Sequence, residues 1–212
     1  MDIITDSVNK LEEILCHSGC EESDVCLDVD PDAKTCEYER GACMVATFGG
    51  RMAEFVTDNP VRAMTKISYM FGTPLEAPAA RSAACSVINA VTGFFCISRV
   101  LHSCPVESHA ACLRELMEKI SGHRVFCVGK IHALEREQNI EIVSDIHEAE
   151  FILVNNEGLI ALETSDLIAS VVTGKKVIFL GPSTSGIARL QQHEHWCPYG
   201  MQKPANIPDP SR

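Results

Sequence analysis

The chain has 212 residues, of which 46% are apolar and 22% charged, as is ordinary for a soluble globular protein with a buried core. Acidic residues outnumber basic ones, 29 to 18, and no Lys- or Arg-rich run offsets the net charge of -11 locally. Because phosphate groups are bound by concentrated Lys and Arg, we expect neither nucleic acid nor a membrane as a partner.

The first part of the chain, residues 1–75, has the pattern of a small α+β domain. Residues 3–15 carry apolar side chains at helical spacing and precede a glycine, so they predict a helix. Short runs typical of strands follow at 25–30, 34–39 and 43–48. Residues 39–41 would connect the last two runs as a hairpin, and Gly49 and Gly50 would form the next turn.

Three further helices are predicted before residue 122. The first covers 60–72 and opens at a proline, and the last covers 106–121, between a proline and a glycine. Between them lies a long apolar helix at 79–101, whose most apolar part is 83–98. A membrane span needs about 20 residues. We therefore predict that this shorter segment, which contains Ser and Asn, is a buried helix.

From residue 123 the pattern changes to uninterrupted apolar runs. They lie at 124–129, 140–145, 149–156 and 175–186, and a helical pattern occupies 162–174. Apolar strands that alternate with helices are covered on both faces, which predicts a parallel sheet with right-handed crossovers. The predicted fold class is therefore α/β. A Rossmann-like domain at 76–212, with the apolar helix leading and a loose Pro-rich tail, follows the α+β domain at 1–75.

Ligands of such sheets bind beyond the carboxyl ends of the strands. The candidate binding residues are those that follow the three main strands: Gly129, Asn155, Asn156, Gly181, Pro182, Ser183 and Thr184. The last four begin the loop Gly-Pro-Ser-Thr-Ser-Gly, whose hydroxyls and backbone N–H groups would cradle an anion or a polar ligand. The alternative is a strand-to-helix turn in which Ser183 or Thr184 is the N-cap.

Nucleotide-binding and catalytic motifs are absent from the sequence. No Gly-x-Gly-x-x-Gly follows the first strand of the second domain, so ordinary NAD or FAD binding is not expected. Asp145 lies roughly where a ribose-binding acid would, yet a single carboxylate without those glycines fits a capping role better. A P-loop, a Gly-x-Ser-x-Gly elbow and a His-Glu-x-x-His motif are also missing.

Eleven cysteines, an odd number at irregular spacings, are many for a chain whose first residues lack the pattern of a secretory signal. A disulfide framework is therefore not expected. Several of them, such as Cys85, Cys96 and Cys127, lie in apolar runs and would pack as small hydrophobic side chains. Such usage is typical of a strongly reducing cell, such as that of an anaerobe, and we predict a cytoplasmic protein.

Two clusters of His and Cys contain candidate metal ligands. The better placed one follows closely on the Gly-Pro-Ser-Thr loop and holds His193, His195 and Cys197. The second holds His102, Cys104, His109 and Cys112. Soft Cys and borderline His favour zinc, iron, copper or cobalt over calcium or magnesium. A structural histidine or a buried thiol is the alternative in each cluster, and Cys16 with Cys20 forms a weaker pair.

The chain resembles a family of uncharacterised prokaryotic proteins named for heavy-metal chelation. The resemblance lies in the order of four segments, which contain "SAACSVINAV", "RVFCVG", "AEFILVNNEGLIALE" and "KKVIFLGPST". The resemblance covers roughly residues 75–190. It implies an enolase N-terminal-like small domain joined to a Rossmann-like domain. It also implies a role in metal handling or in a step linked to corrinoid metabolism. The family's loop maps to Gly181, Pro182, Ser183 and Thr184, and its first-strand glycine to Gly129.

Three functional hypotheses follow from the sequence. The first is a binding protein for a transition metal such as zinc, iron or cobalt, or for a metal-containing or small anionic cofactor at the strand ends. The second is an enzyme that acts on a nucleotide-like or anionic small molecule, with His193 or His195 as acid or base and Cys197 as nucleophile. The third is a subunit of a homo-oligomer that buries the apolar helix.

Overall fold

The computed structural model describes residues 2–135, 137, 139–162 and 175–200, which form two β-sheets with helices between and around them. The helices are α1 (Ile3–Leu15), α2 (Pro78–Phe94), α3 (His109–Ile120), α4 (Asn156–Ile160) and α5 (Ser185–Leu190). The strands are β1 (Asp24–Asp30), β2 (Ala42–Phe48), β3 (Arg51–Thr57), β4 (Ala63–Lys66), β5 (Arg124–Val128), β6 (Glu141–Ile142), β7 (Phe151–Val154), β8 (Lys176–Leu180) and β9 (Glu194–Trp196). The fold class is α/β, as predicted.

The N-terminal half consists of α1 and a four-stranded antiparallel sheet in the order β3-β2-β1-β4. α1 has the predicted bounds. It begins after Asp2, whose carboxylate caps the helix by accepting the N–H of Thr5 at 3.0 Å. Along the strands alternate side chains are buried, among them Leu27, Met44 and Phe55. The sheet thus has one face in the core and one face outward.

The C-terminal half contains the predicted parallel sheet, in the order β6-β5-β7-β8-β9. β7 is buried along its whole length and β8 almost so, which explains why their sequences are uninterrupted apolar runs. The chain leaves β5 for β6 on one side and then returns to β7 on the other side. The point at which the strand order reverses therefore lies between β5 and β7.

α2 lies between the two halves and packs against β2 and β3 as well as against α1 and α5. Every residue from Arg81 to Gly93 is buried. The guanidinium of Arg81 donates to the carbonyls of Ile160 at 2.7 Å and Leu159 at 3.0 Å, and it forms an ion pair with Asp2 at 2.8 Å. A buried charge is stable only when it is paired and hydrogen-bonded in this way. The apolar helix therefore finds its burial within the chain.

Three predictions for the first hundred residues were wrong. Residues 34–39 form no strand, and no hairpin at 39–41 connects them to β2, because this segment leaves the sheet and packs elsewhere. Residues 60–72 form no α-helix: β4 pairs with the free edge of β1, and a 3-10 turn follows at Ile67–Met70. Pairing along an open strand edge here outweighs the helical pattern. β3, which the pattern did not predict, adds the other edge strand.

Other bounds differ less. α2 ends at Phe94 rather than near 101, because Cys96 takes a left-handed backbone conformation with φ of 58°. A 3-10 turn at Val106–Ser108 precedes α3 within the helix predicted at 106–121. The predicted helix at 162–174 and the Pro-rich tail lie almost wholly outside the described residues. Among the described residues no helix is long and apolar enough to span a membrane.

Candidate functional site

The carboxyl ends of β5, β7 and β8 lie at one edge of the parallel sheet, and residues 36–40 of the N-terminal half cross this edge. The side-chain N–H groups of Asn155 donate to the carbonyl of Tyr38 at 3.1 Å. Those of Asn156 donate to the carbonyl of Arg40 at 3.2 Å. The edge at which such sheets bind ligands is therefore covered by a segment of the same chain.

Two of the predicted binding residues are glycines because the backbone there has no room for a side chain. Gly129 has φ of 87°, and a Cβ atom at this position would overlap the side chain of Asn155. Gly181 has φ of 77°, and a Cβ atom would overlap the carboxyl group of Glu39. Both glycines thus permit a close approach that closes the strand ends.

The rest of the Gly-Pro-Ser-Thr loop forms a 3-10 turn at Pro182–Thr184 that leads into α5. The N–H of Ser183 donates to Glu39 Oε1 at 2.9 Å, and its hydroxyl oxygen accepts the N–H of Val56 at 2.8 Å. The hydroxyl of Thr184 donates to the carbonyl four residues earlier. These donors are engaged within the chain, and the cradle for an anion stays a prediction.

Glu39 is the carboxylic acid at the centre of this junction. Its side chain is fully buried, and its Oε2 atom has no hydrogen-bond partner among the described residues. Burial raises the pKa of Glu39 to about 8, although the N–H of Ser183 opposes the shift. At neutral pH the group is therefore mainly a neutral carboxylic acid that can donate a hydrogen bond.

Four buried thiols converge beside Glu39, and we call them the thiol centre: Cys36, Cys104, Cys112 and Cys197. They come from the crossing segment, the loop before α3, α3 itself and the residue after β9. If ionised, one of these thiols would interact with another in five of the six pairs, and an ionised Glu39 would interact with both Cys36 and Cys197. The four side chains therefore lie in one region of the fold, although they are far apart in the sequence and no three of them form a metal-binding group.

Burial is the largest cause that raises the pKa of each thiol in this centre. Without a bound cation the four side chains are consequently neutral at physiological pH. A neutral thiol is a weak nucleophile, because the thiolate is the reactive form. The arrangement thus gives no support to Cys197 as a catalytic nucleophile. A cation at the centre would reverse this effect, since it favours the thiolate.

Two aromatic side chains bring polar hydrogen atoms to the sulfur of Cys112. Tyr38 Oη lies 3.3 Å from Cys112 Sγ. The indole N–H of Trp196 also lies near this sulfur, where it lowers the pKa of Cys112 against the effect of burial. Trp196 Nε1 is nevertheless buried with no hydrogen-bond partner among the described residues. Both groups would donate well to a sulfur atom that carries negative charge.

The two histidines of the 102–112 cluster share one arrangement. His102 Nδ1 lies 3.0 Å from Glu54 Oε1, and His109 Nδ1 lies 3.2 Å from Glu37 Oε1. Each Nε2 atom is buried with no hydrogen-bond partner among the described residues. When a neutral imidazole donates its Nδ1 hydrogen to a carboxylate, Nε2 keeps a free lone pair. This is the form in which metal-ligating histidines are held.

An acidic cavity of about 430 Å³ opens beside the thiol centre. Its walls include four carboxylates, one lysine and the thiol of Cys104: Asp30, Asp32, Lys34, Glu54, Cys104 and Glu107. Burial alone would raise the pKa of Glu54, but hydrogen bonds from His102 and the N–H of Ser103 hold it below its usual value. The cavity is therefore negative at neutral pH and attracts cations.

The 193–197 cluster is divided between different surroundings. The ring of His193 stacks on Phe179, with ring centres 5.4 Å apart. His195 Nε2 donates to the carbonyl of Gly181 at 2.8 Å, and burial lowers the pKa of His195 to about 4. Cys197 alone belongs to the thiol centre. Across the described residues no three His, Cys, Asp or Glu side chains are arranged to hold a metal ion.

Sequence reasoning missed the two residues of the crossing segment that matter most, Cys36 and Glu39. They lie in the segment 34–39, where polar and less polar side chains alternate as in a strand. Nothing in the local sequence marks them as site residues. Glu39 meets Ser183 across 144 positions of sequence. Such a contact leaves no signal in a single sequence, whereas the 102–112 cluster was visible and contributes Cys104 and Cys112.

Comparisons with known proteins indicate no function for this chain. No protein-family profile and no curated protein matches it. Two solved structures of DUF364 family proteins are similar, both described as of unknown function. The one from Pyrococcus horikoshii is 14% identical, with 85% of this chain and 79% of that chain covered and a TM-score of 0.43. The one from Desulfitobacterium hafniense is 12% identical, with 88% and 85% covered and a TM-score of 0.48. Likeness at this level carries no functional argument.

Proposed function

We propose that the protein binds a transition-metal centre through the thiol centre, with Cys36, Cys104, Cys112 and Cys197 as thiolate ligands. One observation supports the proposal: four of the six buried cysteines among the described residues, from four separate segments, lie near enough for the charge of one to affect another. In the described residues no three of them are arranged to hold an ion, so metal binding requires that these side chains move closer together. Thiols that merely filled the core would have no reason to converge. Thiolates are the ligands that zinc, iron and copper(I) prefer in proteins.

The surroundings of the thiol centre also suit a metal. Four neighbouring thiolates would repel one another strongly in a buried site, and a cation removes this repulsion. Tyr38 and Trp196 bring polar hydrogen atoms to one of the sulfurs. The acidic cavity, with Cys104 on its wall, offers a cation a negatively charged route from solvent. His102 and His109 have their Nε2 atoms free to assist.

This proposal keeps Cys197 from the sequence-based ligand set and adds three cysteines to it. His193 and His195 remain predicted ligands from the sequence alone, with their rings engaged by Phe179 and Gly181. Binding at the thiol centre requires that the thiols lose their protons. The affinity for metal should therefore fall as the pH falls.

The test is elemental analysis of untagged protein purified without oxygen. We expect near-stoichiometric transition metal in the parent protein, and at least about tenfold less in the double variant Cys104→Ser/Cys197→Ser. The matched control is Cys85→Ala, which should keep the metal because it removes a fully buried thiol of α2 that belongs to a different hydrophobic cluster from Cys36 and Cys112. Equal metal content in all three proteins, or none in the parent, would refute the proposal.

A second candidate function, the binding of a small polar organic molecule, is favoured by a different cavity. This cavity of about 250 Å³ lies beside the end of β7, and its walls include Arg40, Thr57 and Asn156. Asn156 is buried, and its Oδ1 atom has no hydrogen-bond partner among the described residues. A ligand that donates to this oxygen should raise the unfolding temperature of the parent protein but not of Asn156→Leu. If no member of a metabolite panel raises the unfolding temperature of the parent protein, this candidate function is contradicted.

A further inference from the structure

The cavity of about 250 Å³ beside the end of β7 lies between the two halves of the protein. Its walls come from the end of β3, the start of α2 and α4, and none of the four thiols lines it. Its volume lies just below the range of about 300 to 1,000 Å³ that is usual for ligand sites. The cavity therefore suits a small molecule, and its lining indicates the chemistry of that molecule.

The buried polar side chains of this lining lack a hydrogen-bond donor. Asn156 and Thr57 both line the cavity and are each 1% exposed. The amide N–H groups of Asn156 are both used, by the carbonyls of Arg40 at 3.2 Å and Val56 at 2.8 Å. Asn156 Oδ1 has no partner among the described residues, whereas the hydroxyl of Thr57 has two. A ligand that donates to Oδ1 would remove the cost of leaving a buried oxygen unpaired.

The rim of the cavity has an excess of negative charge. Three carboxylates and one guanidinium line it: Asp58, Glu76, Glu157 and Arg40. Within the described part of the chain none of these four side chains forms an ion pair. The guanidinium instead donates to the carbonyl of Glu39 at 2.9 Å. The unpaired carboxylates therefore favour a cation in the cavity over an anion.

The rest of the lining favours an organic cation over a metal ion. No three His, Cys, Asp or Glu side chains of the described residues are arranged to hold a metal. Pro78, Ile160 and Ala161 form an apolar part of the wall, and Ile160 is buried. A hydrocarbon group in contact with this wall would leave water, which favours binding. An ammonium group carries three donors and no acceptor, so it complements the Oδ1 atom and the carboxylates.

We infer that this cavity binds a small primary amine in its protonated form. The ammonium group lies between Asn156 and the carboxylates of the rim, and the apolar body packs against Pro78 and Ile160. This inference rests on the second candidate function and names its class of ligand. A primary alkyl amine is protonated at neutral pH, as the side chain of lysine is. One group thus supplies both the positive charge and the N–H donors.

The experiment is a calorimetric titration of the parent protein with three probes that share an isopentyl group. Isopentylamine is a cation, isopentanol is neutral and isocaproate is an anion. We expect isopentylamine to bind at least about tenfold more tightly than either of the others, because it donates charged hydrogen bonds. Added salt should weaken its binding, since the carboxylates of the rim are exposed and are screened.

Variants of the rim test whether the amine binds in this cavity. Asp58→Asn/Glu76→Gln should weaken the binding of isopentylamine about three- to tenfold, because two attractive charges are lost. Arg40→Gln should tighten it by up to about fivefold, because a repulsive charge is lost. The matched control is Glu12→Gln/Glu13→Gln, which removes two exposed carboxylates from α1 and should bind the amine as the parent does.

The outcomes separate this inference from the candidate function on which it rests. Isocaproate or isopentanol bound as tightly as isopentylamine would overturn the inference and leave the binding of a small molecule intact. The same result follows if the rim variant and the control lose equal affinity, since the net charge of the protein would then explain the loss. If none of the probes binds, the inference is overturned. The candidate function falls with it only if no member of the metabolite panel stabilises the parent protein.

Discussion

The buried cysteine of α2 and the buried cysteines of the thiol centre have different surroundings, and this difference identifies the candidate site. Cys85 lies in α2, fully buried, and burial raises the pKa of its thiol to about 12. No other thiol is among the charges that act on it; those are Arg81 and Asp2. The four cysteines of the thiol centre are also buried, but ionised neighbours among them and Glu39 would raise their pKa values, and Tyr38 Oη lies 3.3 Å from Cys112 Sγ.

Burial alone therefore does not distinguish a structural thiol from a ligand. Free cysteine packs readily as a small hydrophobic side chain, and Cys85 does so in the larger hydrophobic core cluster of the protein. A candidate ligand is recognised by its convergence with other polar groups whose bonding is incomplete. Changes in α2 should therefore affect stability, whereas changes in the thiol centre should affect metal content.

The largest effect is expected from Arg81→Met, which removes the buried cation that ties α2 to α1 and α4. Asp2 and the carbonyls of Leu159 and Ile160 would lose their partner. Breaking a buried pair in this way should lower the free energy of unfolding by about 3 to 5 kcal/mol. Chemical denaturation measures this loss. The metal content per folded molecule should stay at the parent level. Folded but metal-free variant protein would contradict the expectation that changes in α2 affect stability and not metal binding.

A smaller loss of stability, about 2 to 4 kcal/mol, is expected from Gly181→Ala. The new Cβ atom would be strained at a φ of 77° and would overlap the carboxyl group of Glu39. Because Glu39 borders the thiol centre, the metal content should fall as well. The double variant Gly181→Ala/Glu39→Ala should recover part of the stability, since the overlap is removed. Strict additivity of the two changes in a double-mutant cycle would show that this contact is absent.

The next effect concerns pH and the buried acid Glu39. Its pKa of about 8 in the folded protein lies above the usual 4.5. Between these values only the unfolded state releases the proton, so the free energy of unfolding falls as the pH rises. From pH 6 to pH 8 the loss should be about 2 kcal/mol. Below pH 4.5 the carboxyl is protonated in both states and contributes no dependence.

Glu39→Gln is the variant that tests this assignment. The amide oxygen can still accept the N–H of Ser183, and the amide does not titrate. Denaturation of metal-free parent and variant at pH 6, 7 and 8 should therefore show the decline in the parent only. Parallel declines in both proteins would assign the pH dependence to another group.

The smallest effect is expected from His193→Ala. The stacked contact with Phe179 should contribute about 1 kcal/mol to the free energy of unfolding. The metal content should not change, because the ring of His193 packs on Phe179 rather than in the thiol centre. The two variants differ within one short segment: Cys197→Ala should remove the metal, whereas His193→Ala should not. Loss of metal in His193→Ala would indicate that the 193–197 cluster, and not the thiol centre, supplies the metal ligands.

The sequence predicted the parallel half of the fold well, for a physical reason. Strands such as β7 and β8 are covered on both faces, and their sequences are therefore uninterrupted apolar runs. Such runs between predicted helices are readily recognised as strands of a parallel sheet. The antiparallel half was harder to predict. In β3 the buried Ala53 and Phe55 alternate with more exposed residues, and this weak pattern was not recognised as a strand.

The candidate site was predictable only in part. Cys104, Cys112 and Cys197 were visible as members of local clusters, but no local pattern joins them to one another or to Cys36. The segment 34–39 alternates because Cys36 and Tyr38 are buried against the parallel half, not because it is a strand. Its neighbours are defined by tertiary packing over more than a hundred positions, which a single sequence does not reveal.

Metal binding at the thiol centre can be measured by X-ray absorption spectroscopy at the edge of the metal that the isolated protein carries. We expect a first shell of sulfur ligands in the parent protein and in Cys85→Ala. In Cys104→Ser/Cys197→Ser the metal should be absent or its sulfur shell reduced. A first shell of only nitrogen and oxygen in the parent, unchanged in the double variant, would contradict metal binding at the thiol centre.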